Sequence, residues 1–278
     1  MEAKLFEIES PNGILRGSLR ELPGAPLVLL LCGHNGFYHF AFFPTLQQHL
    51  IENGYSSVAF NYSHCGISDH GDYFDDLQRY EKNCRRLEVE DTLFVATHLD
   101  HILQKTPSHL FLLGHSMGGF NTGFVGDQFI SYGKKVDGLI FLNALKTLNI
   151  RTKEIMDEWQ QNGVYYRANG RTMQDLPQGK EFLEETLRSH DKWNLEKTMS
   201  HLIMPVLVVH GSADEAVPFE HGLNIFSWIE DNNDLNTFLA IENGTHTLNT
   251  SHIGNRESEQ FSEFCGKLVE WLNQACAL

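Results

Sequence analysis

The sequence feature that most constrains the fold is the motif Gly114-His115-Ser116-Met117-Gly118, which directly follows an apolar run at residues 110–113. The apolar run is typical of a buried strand, and the motif predicts a sharp turn at Ser116 before a helix begins near Met117. Glycines are needed in so tight a turn because side chains would collide there. We therefore expect the serine hydroxyl at a sheet edge, beside a helix N-terminus that favours negative charge. Taken alone, the motif also fits an ordinary turn between a strand and a helix.

Strands and helices are predicted to alternate through the first half of the chain. The predicted strands lie at residues 4–9, 14–20, 27–32, 55–62, 109–113, 136–142, 205–209 and 235–241. The predicted helices lie at residues 44–53, 86–104, 117–131, 219–230 and 256–274. This order predicts an α/β fold with a mostly parallel sheet of about eight strands and helices on both faces.

The alternation breaks between residues 147 and 200, where charged, polar and glycine residues are more frequent. Helical pieces are predicted near 151–161 and 179–190 in this stretch. The stretch from residue 147 to residue 200 is therefore interpreted as a small inserted cap. The full 278 residues suit one large α/β domain that carries such an insertion.

Composition narrows the possible partners. The formal net charge of −15 and the pI near 5.4 argue against a nucleic-acid surface and against binding to anionic membranes. The apolar stretch at residues 27–32 is far too short to span a bilayer, and the polar N-terminus lacks the apolar core of a signal peptide. Five scattered cysteines suggest neither a disulfide frame nor a zinc site. We therefore expect a cytoplasmic protein with reduced thiols and no membrane partner.

No metal or other cofactor is expected. The fifteen histidines include no H-E-x-x-H or similar ligand-spaced set. Four of them can be imagined as a metal cluster, although surface or loop positions are the simpler interpretation: His34, His39, His64 and His70.

Two further motifs supply what a nucleophilic serine needs. The run H-G-S-A-D-E-A-V-P at residues 210–218 places the carboxylate of Asp214 just after a predicted strand. The motif Gly244-Thr245-His246 places an imidazole just after the next one. Because functional groups of open α/β sheets gather at the carboxyl ends of the strands, we expect Ser116, Asp214 and His246 to meet at one edge.

The chemistry of these three side chains is complementary. A serine hydroxyl is a weak nucleophile until a base accepts its proton, and His246 can accept it and later protonate the leaving group. Asp214 would fix the imidazole tautomer and stabilise the cation. The oxyanion needs preset donors, for which we predict the Met117 N–H and one N–H from the loop after residues 27–32, namely that of Phe37. Each such donor lowers the barrier by roughly 3–4 kcal/mol.

Other interpretations of these residues stay open. Asp214 could cap a helix, and the adjacent Glu215 is a weaker candidate for the acid. His246 could be an ordinary loop histidine, and His252 is a rival without a position at a strand end. His115 is expected to be a packing residue. An aromatic set could line an acyl pocket or pack in the core: Phe37, Tyr38, Phe40, Phe42 and Phe43.

The serine turn, the H-G-x-x-D-x-x-V-P-like run at 210–218 and Gly244-Thr245-His246 together resemble the α/β-hydrolase superfamily over nearly the whole chain. Within it, the chain looks most similar to bacterial serine hydrolases related to feruloyl and cinnamoyl esterases, with the serine aminopeptidase-like branch nearby. The resemblance implies a triad of Ser116, His246 and Asp214, Met117 as one oxyanion donor, and no cofactor.

One departure from the family concerns the His-Gly pair that usually follows the third strand. It appears here as Gly33-His34-Asn35-Gly36-Phe37, so that His34 is displaced by one residue if Gly36 is the matched glycine. Gly36 and Asn35 therefore remain alternatives to Phe37 as the second oxyanion donor.

The predicted function is hydrolysis of a small or medium acyl ester by a serine carboxylesterase. A thioesterase or an aminopeptidase-like hydrolase with the same triad is the alternative, and a non-catalytic binding protein on this fold is a less favoured one. A cationic amine could be attracted by acidic cap residues, although exposed helix charge explains them equally: Asp157, Glu158, Glu181, Glu184 and Glu185.

Overall fold

An eight-stranded sheet forms the centre of the structure, a computed structural model that describes residues 2–148, 151–170, 172–188, 191–250 and 257–278. The strands are β1 (Lys4–Ser10), β2 (Gly13–Arg20), β3 (Leu27–Leu31), β4 (Ser56–Asn61), β5 (Leu110–His115), β6 (Gly138–Leu142), β7 (Tyr165–Asn169), β8 (Gln174–Gln178), β9 (Val206–Gly211) and β10 (Thr237–Ile241). The main sheet has the order β1-β2-β4-β3-β5-β6-β9-β10, and β7 pairs with β8 in a separate small sheet.

The pairing of the main sheet is mostly parallel. The β1–β2 and β2–β4 pairs are antiparallel, and the remaining five pairs are parallel. Every residue of β3, β5, β6 and β9 is buried, as expected of parallel strands covered on both faces. The predicted α/β class and the mostly parallel sheet of about eight strands are therefore confirmed.

Helices cover both faces of this sheet. They are α1 (Phe43–Glu52), α2 (Leu77–Glu81), α3 (Arg85–Thr97), α4 (Met117–Ser131), α5 (Lys153–Asn162), α6 (Lys180–Leu187), α7 (Leu195–Met199), α8 (Glu220–Ser227) and α9 (Glu259–Ala275). A Cβ added to Gly138 would lie 2.7 Å from Trp271 of α9, and one added to Gly126 of α4 would lie 3.0 Å from Leu139. Because Gly138 and Leu139 are consecutive in β6 and point to opposite faces, α9 and α4 lie on opposite sides of the sheet.

One helix is shorter than predicted. The helix expected over 86–104 ends at Thr97, and a separate 3₁₀ turn follows at Leu99–His101. The backbone of His98 leaves the helical region, with φ −117° and ψ 27°. The predicted apolar stripe nevertheless continues into the 3₁₀ segment, because Leu99 and Leu103 are both buried.

The chain between β6 and β9 contains α5, the β7–β8 hairpin, α6 and α7, which fits the small inserted cap of the prediction. Helices α5 and α6 match the two predicted there, but the short α7 and the hairpin were not predicted, since Pro177 and a short polar pattern obscure β8. Trp159 is fully buried and packs against Tyr165 and Phe182, with ring centroids 5.8 and 5.7 Å away. Trp159 and Phe182 belong to the same hydrophobic core as the strands of the main sheet, so the insertion packs onto the rest of the protein.

Candidate active site

Ser116 occupies a strained turn between β5 and α4. Its φ of 57° and ψ of −118° lie in a region that non-glycine residues rarely adopt. A Cβ on Gly114 would lie 2.2 Å from the Gly118 carbonyl oxygen, and a Cβ on Gly118 would lie 2.3 Å from the carbonyl oxygen of Leu31. Both glycines are therefore required by the close approach of the backbone, which lifts Ser116 to the carboxyl end of β5.

Asp214 follows β9 and is held as a buried carboxylate. His246 Nδ1 lies 2.8 Å from its Oδ2 atom, and the backbone N–H groups of Ala216 and Val217 donate to Oδ1 at 2.8 Å each. The Asp214 side chain has no exposed surface. Burial opposes its ionisation, but hydrogen bonds from His210 and His246 outweigh that cost and hold the pKa of Asp214 well below its usual range.

The tautomer of His246 follows from this contact. A carboxylate only accepts hydrogen bonds, so Nδ1 of His246 carries the proton that is donated to Asp214. In the neutral ring, Nε2 is then left as the proton acceptor. The neighbouring Glu215 instead accepts a hydrogen bond of 3.3 Å from the backbone N–H of His246, so Asp214 is the carboxylate on the ring. The rival base His252 lies outside the described residues.

The loop that carries His246 packs directly on the loop that carries Asp214. A Cβ on Gly211 would lie 2.2 Å from the Gly244 carbonyl oxygen, which accepts a hydrogen bond of 3.0 Å from the Ala213 N–H. The glycines of the two motifs therefore allow the acid and the imidazole to approach each other.

Asn143, at the end of β6, joins the two loops and was not singled out from the sequence. Its Nδ2 donates to the His246 carbonyl at 2.9 Å, and its Oδ1 accepts from the Gly211 N–H at 2.8 Å. Asn143 has no exposed surface and a φ of 47°, a conformation that asparagine tolerates better than most residues. The available signal was its position just past a predicted strand, since the other three residues also lie within five residues of a predicted strand end.

His115 contacts the same carbonyl. Its Nε2–H donates to the His246 carbonyl oxygen at 2.8 Å, and the two rings lie with centroids 4.7 Å apart. Burial, and secondarily a positive charge on His246, lowers the pKa of His115 to about 3. The residue expected only to pack is thus also a neutral hydrogen-bond donor to the His246 loop.

Ser116, Met117 and His246 line one cavity of about 300 Å³. Asp214 is not among the lining residues and reaches the cavity only through its contact with the ring of His246. Met117 is the first residue of α4, and the N–H groups of a first helical turn have no partner within the helix. The cavity therefore combines a hydroxyl, an imidazole paired with a carboxylate, and the positive end of a helix.

The loop after β3 also reaches this cavity, through His34 and Asn35. The predicted second donor, Phe37, is 2% exposed, and the N–H of Gly36 donates to the Gly33 carbonyl at 3.0 Å. Asn35, with a φ of 61°, is thus the alternative among the three that lines the cavity. The choice of Phe37 stays a prediction.

The inserted cap contributes two arginines to the cavity lining, Arg151 and Arg167. Arg151 lies over the ring of Trp159 at 5.0 Å and donates to Gln178 Oε1 at 2.6 Å. Burial, and then the neighbouring charge of Arg167, lowers the pKa of Arg151 to about 10. Sequence reasoning missed both residues, because nothing in the local pattern of the cap shows which side chains face Ser116.

The acidic cap residues have other surroundings. Asp157 pairs with Lys153 at 2.8 Å, and Glu184 pairs with Lys180 at 3.5 Å. Glu185 accepts hydrogen bonds from backbone N–H groups at the start of α3. Among the described residues, none of the five acidic positions noted in the sequence lines the cavity.

The remaining candidate groups pack elsewhere. The five aromatic residues considered for an acyl pocket are all buried and belong to the core. His64 contacts Ser63 at 2.8 Å and His70 contacts the Tyr38 hydroxyl at 2.9 Å.

In the part of the chain that the structure describes, no group of three or more histidine, cysteine or acidic residues could hold a metal ion. None of the helices in this part is long and apolar enough to cross a membrane.

Comparisons with a family profile and with solved structures agree with the α/β fold described above. The sequence profile of the family described as alpha/beta hydrolase fold matches residues 23–189. A comparison with curated protein sequences finds no significant match. Among solved structures, Est1E from Butyrivibrio proteoclasticus with bound ferulic acid is similar, with a TM-score of 0.74, 16% identity, and coverage of 98% of this chain and 100% of that chain.

Two further structures are similar at comparable levels. The α/β hydrolase GrgF from Penicillium sp. sh18 has a TM-score of 0.74 at 14% identity and covers all of both chains (100% and 100%). A soluble variant of monoglyceride lipase from Saccharomyces cerevisiae, in complex with a substrate analogue, has a TM-score of 0.72 at 16% identity, with 99% and 95% covered. At these identities the likeness shows the fold alone.

Proposed function

Because this chain belongs to the α/β-hydrolase family, we propose that it is a serine hydrolase that cleaves a small or medium acyl ester through Ser116, His246 and Asp214. The observation that carries the proposal is the 2.8 Å contact between Asp214 Oδ2 and His246 Nδ1. The imidazole in this contact lines the same cavity as Ser116. Among the similar structures, the name of the monoglyceride lipase favours an ester bond over other acyl bonds.

The proposed reaction begins with attack of the Ser116 Oγ on the ester carbonyl carbon. His246 Nε2 takes the hydroxyl proton, and the buried carboxylate of Asp214 stabilises the imidazolium that forms. The new bond joins Oγ to carbon, and the carbonyl oxygen becomes an oxyanion. The Met117 N–H at the start of α4 donates to it, together with one N–H of the loop after β3, for which Phe37 and its alternatives Asn35 and Gly36 are the candidates.

Collapse of this intermediate breaks the carbon–oxygen bond to the alcohol, which leaves with the proton from His246. The acyl group then remains on Ser116. A water molecule, deprotonated by His246, attacks the acyl-enzyme and releases the acid, and the proton returns to Ser116. No step needs a reactant beyond the ester and water.

Substitution of the serine tests the proposal directly. Ser116→Ala should lower the hydrolysis of 4-nitrophenyl acetate on the order of 10⁶-fold while the protein stays folded, because only residual catalysis by the oxyanion donors remains. Ser131→Ala, at the far end of the same helix, serves as the matched control and should keep wild-type activity. Wild-type-like turnover by Ser116→Ala would overturn the assignment.

Covalent labelling separates an enzyme from a binding protein on the same fold. A fluorophosphonate should label the wild-type chain stoichiometrically at Ser116 and leave Ser116→Ala unlabelled, because only an activated hydroxyl attacks it. Folded wild-type protein that resists labelling would favour the non-catalytic alternative. A parallel panel of acyl thioesters and aminoacyl amides then ranks the thioesterase and peptidase alternatives against the ester.

A further inference from the structure

The charge of the cavity is opposite to that of the chain as a whole. The protein carries a formal net charge of −15, yet the charged side chains among the described lining residues are the guanidinium groups of Arg151 and Arg167. The buried carboxylate of Asp214 accepts a hydrogen bond from the His246 ring and is not among the lining residues. A bound molecule at Ser116 therefore meets two fixed positive charges from the inserted cap.

Within the described part of the chain, neither guanidinium forms an ion pair with an acid. The arginine ion pairs among the described residues are those of Arg16, Arg85 and Arg86. Arg85 is the informative contrast, because it packs over the same Phe182 ring as Arg151 but is paired with the buried Glu88. Arg151 instead uses one N–H on the amide of Gln178, a neutral acceptor. Its remaining donors are available to an anion.

Without a bound anion, the charged form of the Arg151 guanidinium is destabilised at this position. It is packed over Trp159 and Phe182, with its carbon Cζ 5.0 and 5.5 Å from the ring centroids, so part of its hydration is lost. A second positive charge, Arg167, lies close enough to lower the pKa of Arg151 further. Two like charges held together in a half-enclosed space are stabilised when a negatively charged group binds between or beside them.

A hydrogen-bonded chain links Arg151 to His34 in the lining of the cavity. Gln178 accepts from Arg151 through Oε1 and contacts Nε2 of His34 through its amide nitrogen. His34 lines the cavity, and burial together with the charges of Arg85, Arg167 and Arg151 keeps its pKa well below the usual value. Because the imidazole of His34 is neutral, the positive charges of the cavity lining are those of Arg151 and Arg167.

We propose that the substrate of this site carries an anionic group, a carboxylate or a phosphate, which Arg151 and Arg167 of the inserted cap bind while Ser116 attacks the ester. The proposal rests on the proposed function, and it makes the two arginines specificity-determining residues. Guanidinium groups suit this role because their planar set of N–H donors matches the oxygens of both anions. A cationic amine substrate, which an acidic cap would have favoured, is repelled by the same pair.

Matched ester pairs test the charge preference. The first pair places the charge on the acyl side: 4-nitrophenyl hydrogen adipate against 4-nitrophenyl hexanoate, which share a six-carbon acyl chain. The second places it on the alcohol side: 3-acetoxybenzoate against 3-methylphenyl acetate. In at least one pair, wild-type kcat/KM should favour the anionic ester by about tenfold or more, and the preference should shrink as ionic strength rises.

Arginine variants identify the source of the preference. Arg151→Gln and Arg167→Gln should each reduce the ratio of kcat/KM for the anionic ester to kcat/KM for its neutral partner by about tenfold. Arg86→Gln removes the same charge from an exposed arginine outside the cavity and is the matched control. Arg151→Lys keeps the charge and should retain part of the preference. Equal rates within both pairs, or a preference that survives in both glutamine variants, would overturn the proposal.

A binding measurement keeps this test separate from the test of catalysis. Calorimetric titration of Ser116→Ala with monomethyl adipate and with neutral dimethyl adipate needs no turnover. The monoanion should bind about tenfold or more tightly, and Arg167→Gln in the same background should remove the difference. If the wild type hydrolyses no ester but Ser116→Ala still shows this difference in affinity, the hydrolase assignment alone is rejected. Active protein with equal affinities would reject the anion site alone.

Discussion

The imidazole of His115 donates a hydrogen bond of 2.8 Å to the backbone carbonyl of His246 and so ties the residue before Ser116 to the loop of the proposed base. The same carbonyl accepts a second bond, from Asn143 at 2.9 Å. The loop of His246 is thereby held from two neighbouring strand ends, while its ring is held by Asp214. This arrangement limits the backbone movement of His246 relative to β5 and β6.

Burial of neutral His115 predicts a loss of stability in acid. The unfolded chain takes up a proton near pH 6.5, but the folded chain does not until the pH reaches about 3. The unfolded state therefore binds more protons between these values, and the stabilising contribution is complete above pH 6.5 and declines as the pH falls. The free energy of unfolding should drop by up to about 1.4 kcal/mol per pH unit from this residue.

Urea denaturation at several pH values from 7 to 4 measures this decline. His115→Gln should show a shallower slope than the wild type, whereas His101→Gln, at an exposed position, should keep the wild-type slope. Parallel curves for the wild type and His115→Gln would contradict the prediction.

Removal of the Asp214 charge should abolish most of the activity. In Asp214→Asn, the amide cannot stabilise the imidazolium and can favour the wrong tautomer of His246, so kcat should fall on the order of 10⁴-fold. Glu215→Gln changes the adjacent carboxylate, which accepts a hydrogen bond from the backbone N–H of His246 rather than from its ring, and should leave kcat close to the wild type. Steady-state hydrolysis of 4-nitrophenyl acetate compares the two. A larger loss in Glu215→Gln would reverse the assignment of the acid.

Asn143 is expected to act as a positioning residue. Asn143→Ala leaves the buried N–H of Gly211 without its acceptor and removes one donor from the His246 carbonyl, which should cost about 1–3 kcal/mol in the free energy of unfolding. The freed loop should also lower kcat more than it raises KM. Denaturation and steady-state kinetics measure the two effects, with Asn162→Ala on the exposed side of α5 as the control. Unchanged kinetics at matched folded fraction would show that the loop needs no such support.

Two glycine substitutions should have opposite effects on stability. Alanine favours helices over glycine by about 1 kcal/mol, so Gly266→Ala in α9, where a Cβ meets nothing within 4 Å, should be neutral or stabilising. Gly118→Ala in α4 would place its Cβ 2.3 Å from the Leu31 carbonyl oxygen and should destabilise the protein by about 1–3 kcal/mol. Thermal denaturation of both variants decides this. A stable Gly118→Ala would mean that β3 and α4 can separate.

Much of the fold was predictable because its signals are local. Apolar runs of four to six residues mark β3, β5 and β9, and a Pro-Asn-Gly turn marks the hairpin that joins β1 to β2. The β7–β8 hairpin escaped prediction because its short strands lack a clear period. The end of α3 at Thr97 escaped because the apolar stripe runs on into the 3₁₀ turn.

For the candidate site, the sequence by itself determined the identity and order of Ser116, Asp214 and His246 and their place at strand ends, since parallel strands present their carboxyl ends at one edge. Their catalytic roles remain predictions. Only the tertiary structure decided what surrounds them: the bonds from Asn143 and His115 to one carbonyl, and two cap arginines beside the serine. These contacts join residues far apart in the chain, and no local pattern records which side chains a packed insertion turns toward the sheet.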